Sequence, residues 1–325
     1  MGKFLKKNWF VVLLTICFTA IITFYIYDTN KDKLKGKTAN GEDVVYEVDG
    51  VDKTADAFYD ELYQENGTSN LITLFKKAVS DASVSTASSI KETASSQAAS
   101  IRSSYQSSYG SSYESYLQSD LLSTGYSDLE EYLIEQQKIN QVSADYAKEH
   151  FDDLSIRQVS YILIKFDDTN NPTQDPTDAE KKKMDAVDAA LKEGKSFSDA
   201  AIEFSEDTST ASTGGDLGVI DKNSSALDTN FLEASLALKE GEVSEWVRSD
   251  SFGYFKIMVT ASTPETLEAN NPSSDPYVSL VQNYDTTLEN TAIWEKASEL
   301  GIDFSGNEEV EAAVKKYFNI TEDGE

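Results

Sequence analysis

Residues 204–218 read FSEDTSTASTGGDLG, and this stretch decides the fold of the segment around it. Its Ser/Thr-rich part predicts a loop, and Gly214 and Gly215 give that loop a backbone that takes positive φ at no steric cost. Asp216 to Ile220 then resume the alternation of a β-strand. We therefore predict a tight return from a loop into a strand at the glycine pair.

The sequence predicts short strands and helices on both sides of this stretch. Upstream, residues 156–166 (IRQVSYILIKF) have the β-branched, alternating pattern of a strand, and Thr177 and Glu180 have the spacing of a capping box. A second helix is expected from Ser196. Downstream, the sequence predicts a helix and two hairpin strands in NFLEASLAL, SEWVRSD and SFGYFKIMV, at residues 230–238, 244–250 and 251–259. The resulting order is β, α, α, β, α, β, β.

The regions outside this segment are mainly helical in pattern. Residues 44–50 (VVYEVDG) predict a short strand, and Thr54 opens a helical pattern. The Ser-rich tract at 80–120 has apolar residues at steps of three and four and no proline, which favours an amphipathic helix over a flexible linker. A further helix is predicted from Asp128 to His150.

The segment from Trp9 to Tyr27 carries no charge, and as a helix rising about 1.5 Å per residue it is long enough to cross a hydrocarbon core. Lys3, Lys6 and Lys7 precede it, so the positive-inside tendency places the amino terminus in the cytoplasm and the bulk of the chain outside the cell. A cleaved signal peptide is the alternative, but the lack of a clear small-x-small site favours an uncleaved anchor. We expect a single-pass cell-membrane protein.

The composition excludes several classes of function. The 325 residues carry 28 Lys and Arg against 57 Asp and Glu, a net charge of −29, so phosphate backbones would repel the chain and no nucleic-acid partner is expected. One cysteine (Cys17) and one histidine (His150) cannot form a Cys/His zinc site or an internal disulfide. We predict no metal and no cofactor, and we interpret His150 as an ordinary residue near a helix end.

The order of SYILIK, FSEDTSTASTGGDLG, FLEASLALKEGEVSEWV and FGYFKIM resembles the parvulin class of peptidyl-prolyl isomerases. Together with the flanking helical segments, the chain looks like the PrsA-type extracytoplasmic foldases of Gram-positive bacteria. The resemblance implies an α+β fold: a parvulin-like domain with an antiparallel four-stranded sheet and helices, a mainly helical chaperone domain built from N- and C-terminal segments, and an N-terminal transmembrane helix. The implied partners are unfolded or newly exported proteins with X–Pro bonds.

The same resemblance implies a pocket for the proline ring. Leu217, Leu227 and Phe231 stand at the family's pocket positions, and Phe252 is a further candidate for substrate binding. Without the resemblance, these apolar residues would simply be assigned to the core of a small domain.

The candidate catalytic residues depart from the family pattern. Asp207 matches the acidic or thiol position in the loop before the glycines. Parvulins commonly carry one histidine in the first strand and one in the last, and here these positions hold Tyr161 and Phe255. Tyr161 keeps a hydroxyl that can hydrogen-bond Asp207, whereas Phe255 offers no polar group. The expected catalytic set is Tyr161, Asp207 and Phe255, without the paired imidazoles.

The expected organisation has seven parts. We predict a basic stub, a transmembrane anchor, a tether, a helical N-terminal chaperone segment, a parvulin-like domain, a linker and a C-terminal helical segment that packs with the chaperone segment, at residues 1–8, 9–27, 28–43, 44–154, 155–262, 263–283 and 284–325.

Three functions remain open from the sequence. The first is a membrane-anchored prolyl isomerase and foldase for exported proteins. The second is a catalytically impaired chaperone of the same architecture, which holds unfolded secreted proteins without turnover. The third is a surface interaction protein whose Tyr/Ser-rich helices hold a fixed partner. The oligomeric state is also open, with a homo-oligomer among the options.

Overall fold

The computed structural model of the chain describes residues 37–62, 67–170 and 172–320. They fall into two compact units, which divide between Ser69 and Asn70. The predicted stub (1–8) and membrane span (9–27) lie outside the described residues, as does most of the tether. Among the residues that are described, no helix combines the length and the apolar character that a membrane span requires.

The first unit opens with a small antiparallel sheet. Strands β1 (Thr38–Ala39), β2 (Glu42–Val48) and β3 (Val51–Thr54) pair in the order β1-β2-β3, and helix α1 (Ala55–Leu62) follows directly. The strand predicted at 44–50 is confirmed, but the assignment of 44–154 as a helical segment is wrong at its start.

Two turns explain this sheet. Asn40 and Gly41 connect the first two strands, and Asp49 and Gly50 connect the next two, all four with positive φ. Asn-Gly and Asp-Gly pairs favour the two-residue turns whose twist matches that of a β-hairpin.

The second unit begins with long helices. They are α2 (Thr68–Ser83), α3 (Ser88–Tyr109), α4 (Tyr113–Ser123) and α5 (Leu129–Glu149). The helix predicted in the Ser-rich tract is confirmed as α3. It is amphipathic as predicted, since Ala94 and Ala98 are fully buried on one face while most of its serines face solvent. The helix predicted at 128–150 is confirmed as α5, and Asp128 caps it by accepting a hydrogen bond from the backbone N–H of Glu131.

A four-stranded antiparallel sheet follows in the order that the sequence predicts. Its elements are β4 (Arg157–Lys165), α6 (Asp178–Lys192), α7 (Phe197–Phe204), β5 (Asp216–Ile220), α8 (Thr229–Ala237), β6 (Val247–Arg248) and β7 (Gly253–Ala261). The strand order across the sheet is β5-β4-β7-β6. Thr177 and Glu180 form the predicted capping box at the start of α6.

The two faces of this sheet bury different side chains of β4. Ile162 and Ile164 pack on the face covered by α6 and α7. Tyr161 and Leu163 lie on the other face, in one apolar cluster with Phe231 of α8. Successive residues of a strand point to opposite faces, so the sequence of β4 assigns each residue to one side.

Four helices complete the chain: α9 (Pro264–Asn270), α10 (Pro276–Asn283), α11 (Leu288–Glu299) and α12 (Glu308–Tyr317). The assignment of 263–283 as a linker is wrong, since it contains two of them. Both begin with a proline at the first helical position behind a capping Thr263 or Asp275. Their apolar residues are buried, among them Leu267 and Leu280 at 0% exposure.

One hydrophobic cluster joins the ends of the sheet strands to helices that come before and after the sheet in the chain. Ile156, Val219 and Ala261 from the sheet region cluster with Ala147 of α5 and Leu280 of α10. The core therefore runs from the helix before the sheet, through the strand ends, into the C-terminal helices.

The glycine pair brings β5 into place against β4. Gly215 has φ +80°, and a Cβ built there would lie 2.3 Å from the carbonyl oxygen of Tyr161. The N–H of Tyr161 donates to the Gly215 carbonyl at 2.9 Å. Only glycine permits this backbone conformation and this closeness together.

Replacing Gly215 with alanine should destabilise the second unit strongly, because the new methyl group collides with β4 in addition to the left-handed strain of about 1–2 kcal/mol. We expect a loss of more than about 2 kcal/mol in the free energy of unfolding, measured by urea denaturation. Gly241→Ala is the matched control, since Gly241 has the same φ of +80° with no atom within 4 Å of the built Cβ. Equal losses for the two variants would contradict the close-approach explanation.

Candidate functional site

A cavity of about 410 Å³ opens on the α8 face of the sheet. All seven residues predicted for the site line it: Tyr161, Asp207, Leu217, Leu227, Phe231, Phe252 and Phe255. They come from β4, the loop after α7, β5, the segment before α8, α8 itself and β7 with the residue before it. The structure thus brings together residues that are up to 94 positions apart, from 161 to 255.

Three aromatic rings form the floor of the cavity. The ring centroids of Phe231 and Phe255 are 5.0 Å apart, and Tyr161 lies 5.5 Å from Phe231 and 5.4 Å from Phe255. All three contacts are edge-to-face, the arrangement that the aromatic quadrupole favours. Phe231 is only 3% exposed, so packing against its neighbours holds its ring in place.

The walls and mouth are less buried than the floor. Leu217 and Leu227 are half-buried and pack against the same apolar cluster as Phe231. Phe252 is 53% exposed and lies 6.2 Å from Phe255 between ring centroids. An exposed aromatic ring at a cavity mouth offers apolar area to a ligand at low entropy cost.

One polar group stands at the edge of the aromatic floor. Tyr161 donates its hydroxyl to Oδ2 of Asp207. Ser209 donates to Oδ1 of the same carboxylate through both its N–H (3.0 Å) and its hydroxyl (2.8 Å), and the Thr210 hydroxyl donates to Oδ2 at 3.0 Å. The loop after α7 therefore folds around Asp207 and presents it to the cavity.

These contacts set the charge of the site. Burial raises the pKa of the Asp207 carboxyl, but the hydrogen bonds from Tyr161, Ser209 and Thr210 outweigh burial and leave the pKa below its ordinary value. Burial first, and the hydrogen bond to Asp207 second, raise the pKa of Tyr161 to about 12. At neutral pH the cavity wall thus carries a carboxylate and a protonated phenol.

Sequence reasoning missed part of the lining, including Leu163, Lys165 and Asp228. Leu163 and Lys165 follow Tyr161 at steps of two along β4, so strand alternation could have indicated them. Asp228 is the N-cap of α8 and accepts from the N–H of Phe231 at 3.1 Å. An aspartate just before a helical pattern is a common N-cap signal, so the sequence could have indicated this residue as well. The bonds from Ser209 and Thr210 to Asp207 carry no pattern that sequence alone displays.

The two positions that hold histidine in many parvulins contain no imidazole. Tyr161 and Phe255 occupy them side by side on the aromatic floor. The chain's one histidine, His150, stacks on Tyr146 at 4.2 Å and does not line the cavity. The cavity offers aromatic and aliphatic surface together with the polar side chains of Lys165, Asp207, Ser209 and Asp228.

The fold and this cavity define a class of domain. Residues 144–263 match the family model described as "PPIC-type PPIASE domain". This segment of the chain is accordingly a parvulin-type peptidyl-prolyl isomerase domain, in agreement with the resemblance in its motifs.

Particular relatives of this segment are foldases. "Foldase protein PrsA" from Clostridium kluyveri is 37% identical over 99 residues, which are 30% of this chain and 25% of that protein. The protein of the same name from Bacillus subtilis is 44% identical over 82 residues, 25% of this chain and 27% of that protein. The matched part thus spans about a quarter of the length of these curated relatives.

A longer but weaker match exists to "Foldase protein PrsA" from Clostridium botulinum, 30% identical over 164 residues, which are 44% of each chain. Among solved structures, the peptidylprolyl isomerase PrsA from Bacillus cereus aligns with 85% of this chain and 98% of its own, at 20% identity and a TM-score of 0.40.

Replacing Tyr161 with phenylalanine should raise the pKa of Asp207 towards its ordinary value, because the carboxylate loses one of its hydrogen-bond donors. A pH titration followed by carboxyl-carbon NMR would measure this shift in the wild type and the variant. Tyr254→Phe is the control, since Tyr254 packs on the other face of the sheet with Phe166. An unchanged Asp207 titration in the Tyr161 variant would show that the phenol does not stabilise the carboxylate.

Proposed function

We propose that the chain is a membrane-anchored extracytoplasmic foldase whose isomerase domain catalyses cis–trans rotation about X–Pro bonds in exported proteins. The observation that carries the proposal is the aromatic floor of Tyr161, Phe231 and Phe255 beneath half-buried leucines, in a domain of the PPIC type. A proline ring is compact, apolar and free of a donor, and such a floor suits it.

The chemistry requires no nucleophile. Rotation about the X–Pro bond is opposed by amide resonance with a barrier of about 18–20 kcal/mol, and the uncatalysed change takes roughly 10–100 s. In the twisted state the resonance is lost, and the carbonyl oxygen loses part of its negative charge. A catalyst need only bind the twisted state better than either planar state.

The cavity offers two means to that end. An apolar floor replaces water around the bond, and the planar amide, being more polar than the twisted one, loses more hydration. The ionised Asp207 on the cavity wall places a negative charge beside the site, which disfavours the planar form whose carbonyl oxygen carries more charge. Tyr161 holds that carboxylate in place through its hydroxyl.

Purified full chain should accelerate cis-to-trans conversion of a proline tetrapeptide, and Phe231→Ala should lower kcat/KM roughly tenfold or more, because a buried phenylalanine contributes about 1.5–3 kcal/mol of apolar contact. Phe304→Ala, at a half-buried phenylalanine in the loop between α11 and α12, is the control and should leave kcat/KM unchanged. If the two variants have the same kcat/KM, Phe231 does not bind the substrate as proposed.

Absence of any acceleration by the wild type would overturn the enzymatic proposal. The missing imidazoles favour a second candidate in that case, a chaperone that binds unfolded secreted proteins without turnover. Suppression of client aggregation by a chain that does not accelerate the tetrapeptide reaction would identify this second function.

The proposed location is supported by the charge-free segment at 9–27 and the lysines before it. In intact cells with a permeable wall, added protease should digest the residues after 28 and leave the amino terminus protected. A tag placed before Lys3 should remain uncut, whereas a tag at the carboxyl end should be removed. Protection of both tags would contradict the extracytoplasmic placement.

A further inference from the structure

The strand that forms one wall of the cavity lies at an edge of its sheet. β5, which carries Leu217, pairs only with β4, and its pairing is irregular between Val159 and Ser160 of β4. An edge strand has ladder partners on one side only. Its outer side is covered by the C-terminal segment, since the cluster that buries Val219 of β5 also contains Tyr277 and Leu280 of α10.

The residue after α10 makes a direct bond to the cavity wall. Tyr284 donates its hydroxyl to the carbonyl oxygen of Leu217 at 3.2 Å. Its ring packs against the apolar cluster that contains Phe231 and Phe255. Burial, and secondarily the charge of Asp216, raise the pKa of Tyr284, so the phenol stays protonated and able to donate.

A second contact follows one residue later. Asp285 is 1% exposed, and Asp221, which directly follows β5, is 0% exposed. Asp285 accepts from the N–H of Thr287 at 2.8 Å and of Leu288 at 3.1 Å, and its other oxygen accepts from the side chain of Asn223 at 3.2 Å. The carboxyl of Asp285 thus accepts hydrogen bonds both from the backbone at the start of α11 and from the loop that follows β5.

Asp221 has one satisfied oxygen and one that is not. Its Oδ1 accepts from the N–H of Asn223 at 3.0 Å and from the hydroxyl of Ser224 at 2.8 Å. Its Oδ2 is shut off from solvent and, among the described residues, has no donor. The neighbouring carboxyl of Asp285 is also an acceptor, so a proton on Oδ2 of Asp221 would supply the donor that this pair of carboxyl groups lacks.

We propose that Tyr284 and Asp285 are positioning residues for the cavity, because they hold β5 and Leu217 in place. We call the carboxyl pair of Asp221 and Asp285 the clasp, and it is closed when the two groups share one proton. This inference rests on the proposed isomerase function for its consequence, but the clasp itself is a structural claim. It adds to the isomerase domain two residues that lie beyond the matched segment 144–263.

The surroundings leave the shared proton as the main source of pH dependence. Burial and the Asp285 carboxyl raise the pKa of Asp221 to about 7. Tyr146 of α5 faces Asp285, and His150 stacks on Tyr146. Asp216 faces Tyr284 from β5. Among the described residues, the groups that set the pKa of Asp221 are Asp285, Ser224 and Asn223, none of them a cation.

The direction of the effect follows from the raised pKa. The protonated clasp is stable at acidic pH, and it weakens as pH rises through about 7, because two buried carboxylates then face each other. Between the ordinary pKa range of an aspartate and about pH 7, the equilibrium between closed and open clasp shifts up to about tenfold per pH unit towards the open form, and above about pH 7 it changes no further. We therefore expect the cavity wall to be best ordered under mildly acidic conditions.

The test compares full-length wild type, Asp221→Asn and Tyr284→Phe from about pH 5.5 to about pH 8.5, a range that spans the titration. The wild-type kcat/KM for a proline tetrapeptide should fall as pH rises to about 7 and level off above it, whereas Asp221→Asn, whose amide donates without titrating, should give a flat profile. Tyr284→Phe should raise KM about two- to fivefold at every pH, because one hydrogen bond to the wall is lost.

Matched controls exist for both changes. Tyr277→Phe in α10 removes a buried hydroxyl that has no partner among the described residues, so KM should stay at the wild-type value. His150→Gln should keep the wild-type pH profile, which separates the clasp from the chain's one histidine. A wild-type profile in Asp221→Asn, or a wild-type KM in Tyr284→Phe, would overturn the positioning role.

A readout without turnover separates the two proposals. Carboxyl-carbon NMR should show Asp221 titrating near pH 7, and the backbone amides of Gly218 and Val219 should shift in the same step. If no tetrapeptide is turned over but this step is present, the isomerase function fails and the clasp stands. If the tetrapeptide is turned over and Asp221 titrates in the ordinary acidic range, the clasp fails and the isomerase function stands.

Discussion

The close approach of Gly215 to the backbone of Tyr161 is the constraint on which the site depends. Because residue 215 has no side chain and a left-handed backbone, β5 can leave its loop and pair with β4 at the position of Tyr161. The same turn folds the Ser/Thr-rich loop back over β4, so that Asp207 meets the Tyr161 hydroxyl. It also sets Leu217, two residues later, on the wall above Phe231. One backbone geometry thus delivers the carboxylate, the phenol and the wall together.

The proposed isomerase site has no imidazole among its lining residues. Its floor is three aromatic rings in edge-to-face contact, and beside that floor the Asp207 carboxylate accepts hydrogen bonds from Tyr161, Ser209 and Thr210. Nothing in X–Pro rotation calls for proton transfer to a bound intermediate, so loss of a titrating pair removes no obligatory step. The phenol takes over the task of orienting Asp207, and Phe255 adds apolar area where a polar group stands in many parvulins.

The isomerase domain is tied to the helices that flank it. Side chains of α5, β5, β7 and α10 bury each other in one cluster, so the sheet cannot move as a body without breaking that core. Tyr284 and Asp285 extend this tie to the cavity wall itself. The chain carries 57 acidic residues against 28 basic ones, and the buried carboxyl of Asp221 accepts a hydrogen bond from the hydroxyl of Ser224.

The sequence by itself determined the elements whose signals are local. The capping box at Thr177, the alternation of β4, the helical spacing of Ala94 and Ala98 and the glycine pair each express a preference that acts within a few residues. The membership of Leu217, Leu227 and Phe231 in one pocket came from the resemblance in motifs, since an apolar residue of a core and one of a binding site look alike in a sequence.

Only the tertiary structure decided where distant polar groups meet. The segment 263–283 has the prolines and polar residues of a linker, and it becomes two packed helices because Leu267 and Leu280 find the core that α5 and the strand ends have left open. Asp221 and Asp285 are ordinary turn residues in sequence, and burial beside each other gives them a shared proton. Desolvation and proximity across 64 residues, from 221 to 285, have no local pattern, so the chain must fold before they exist.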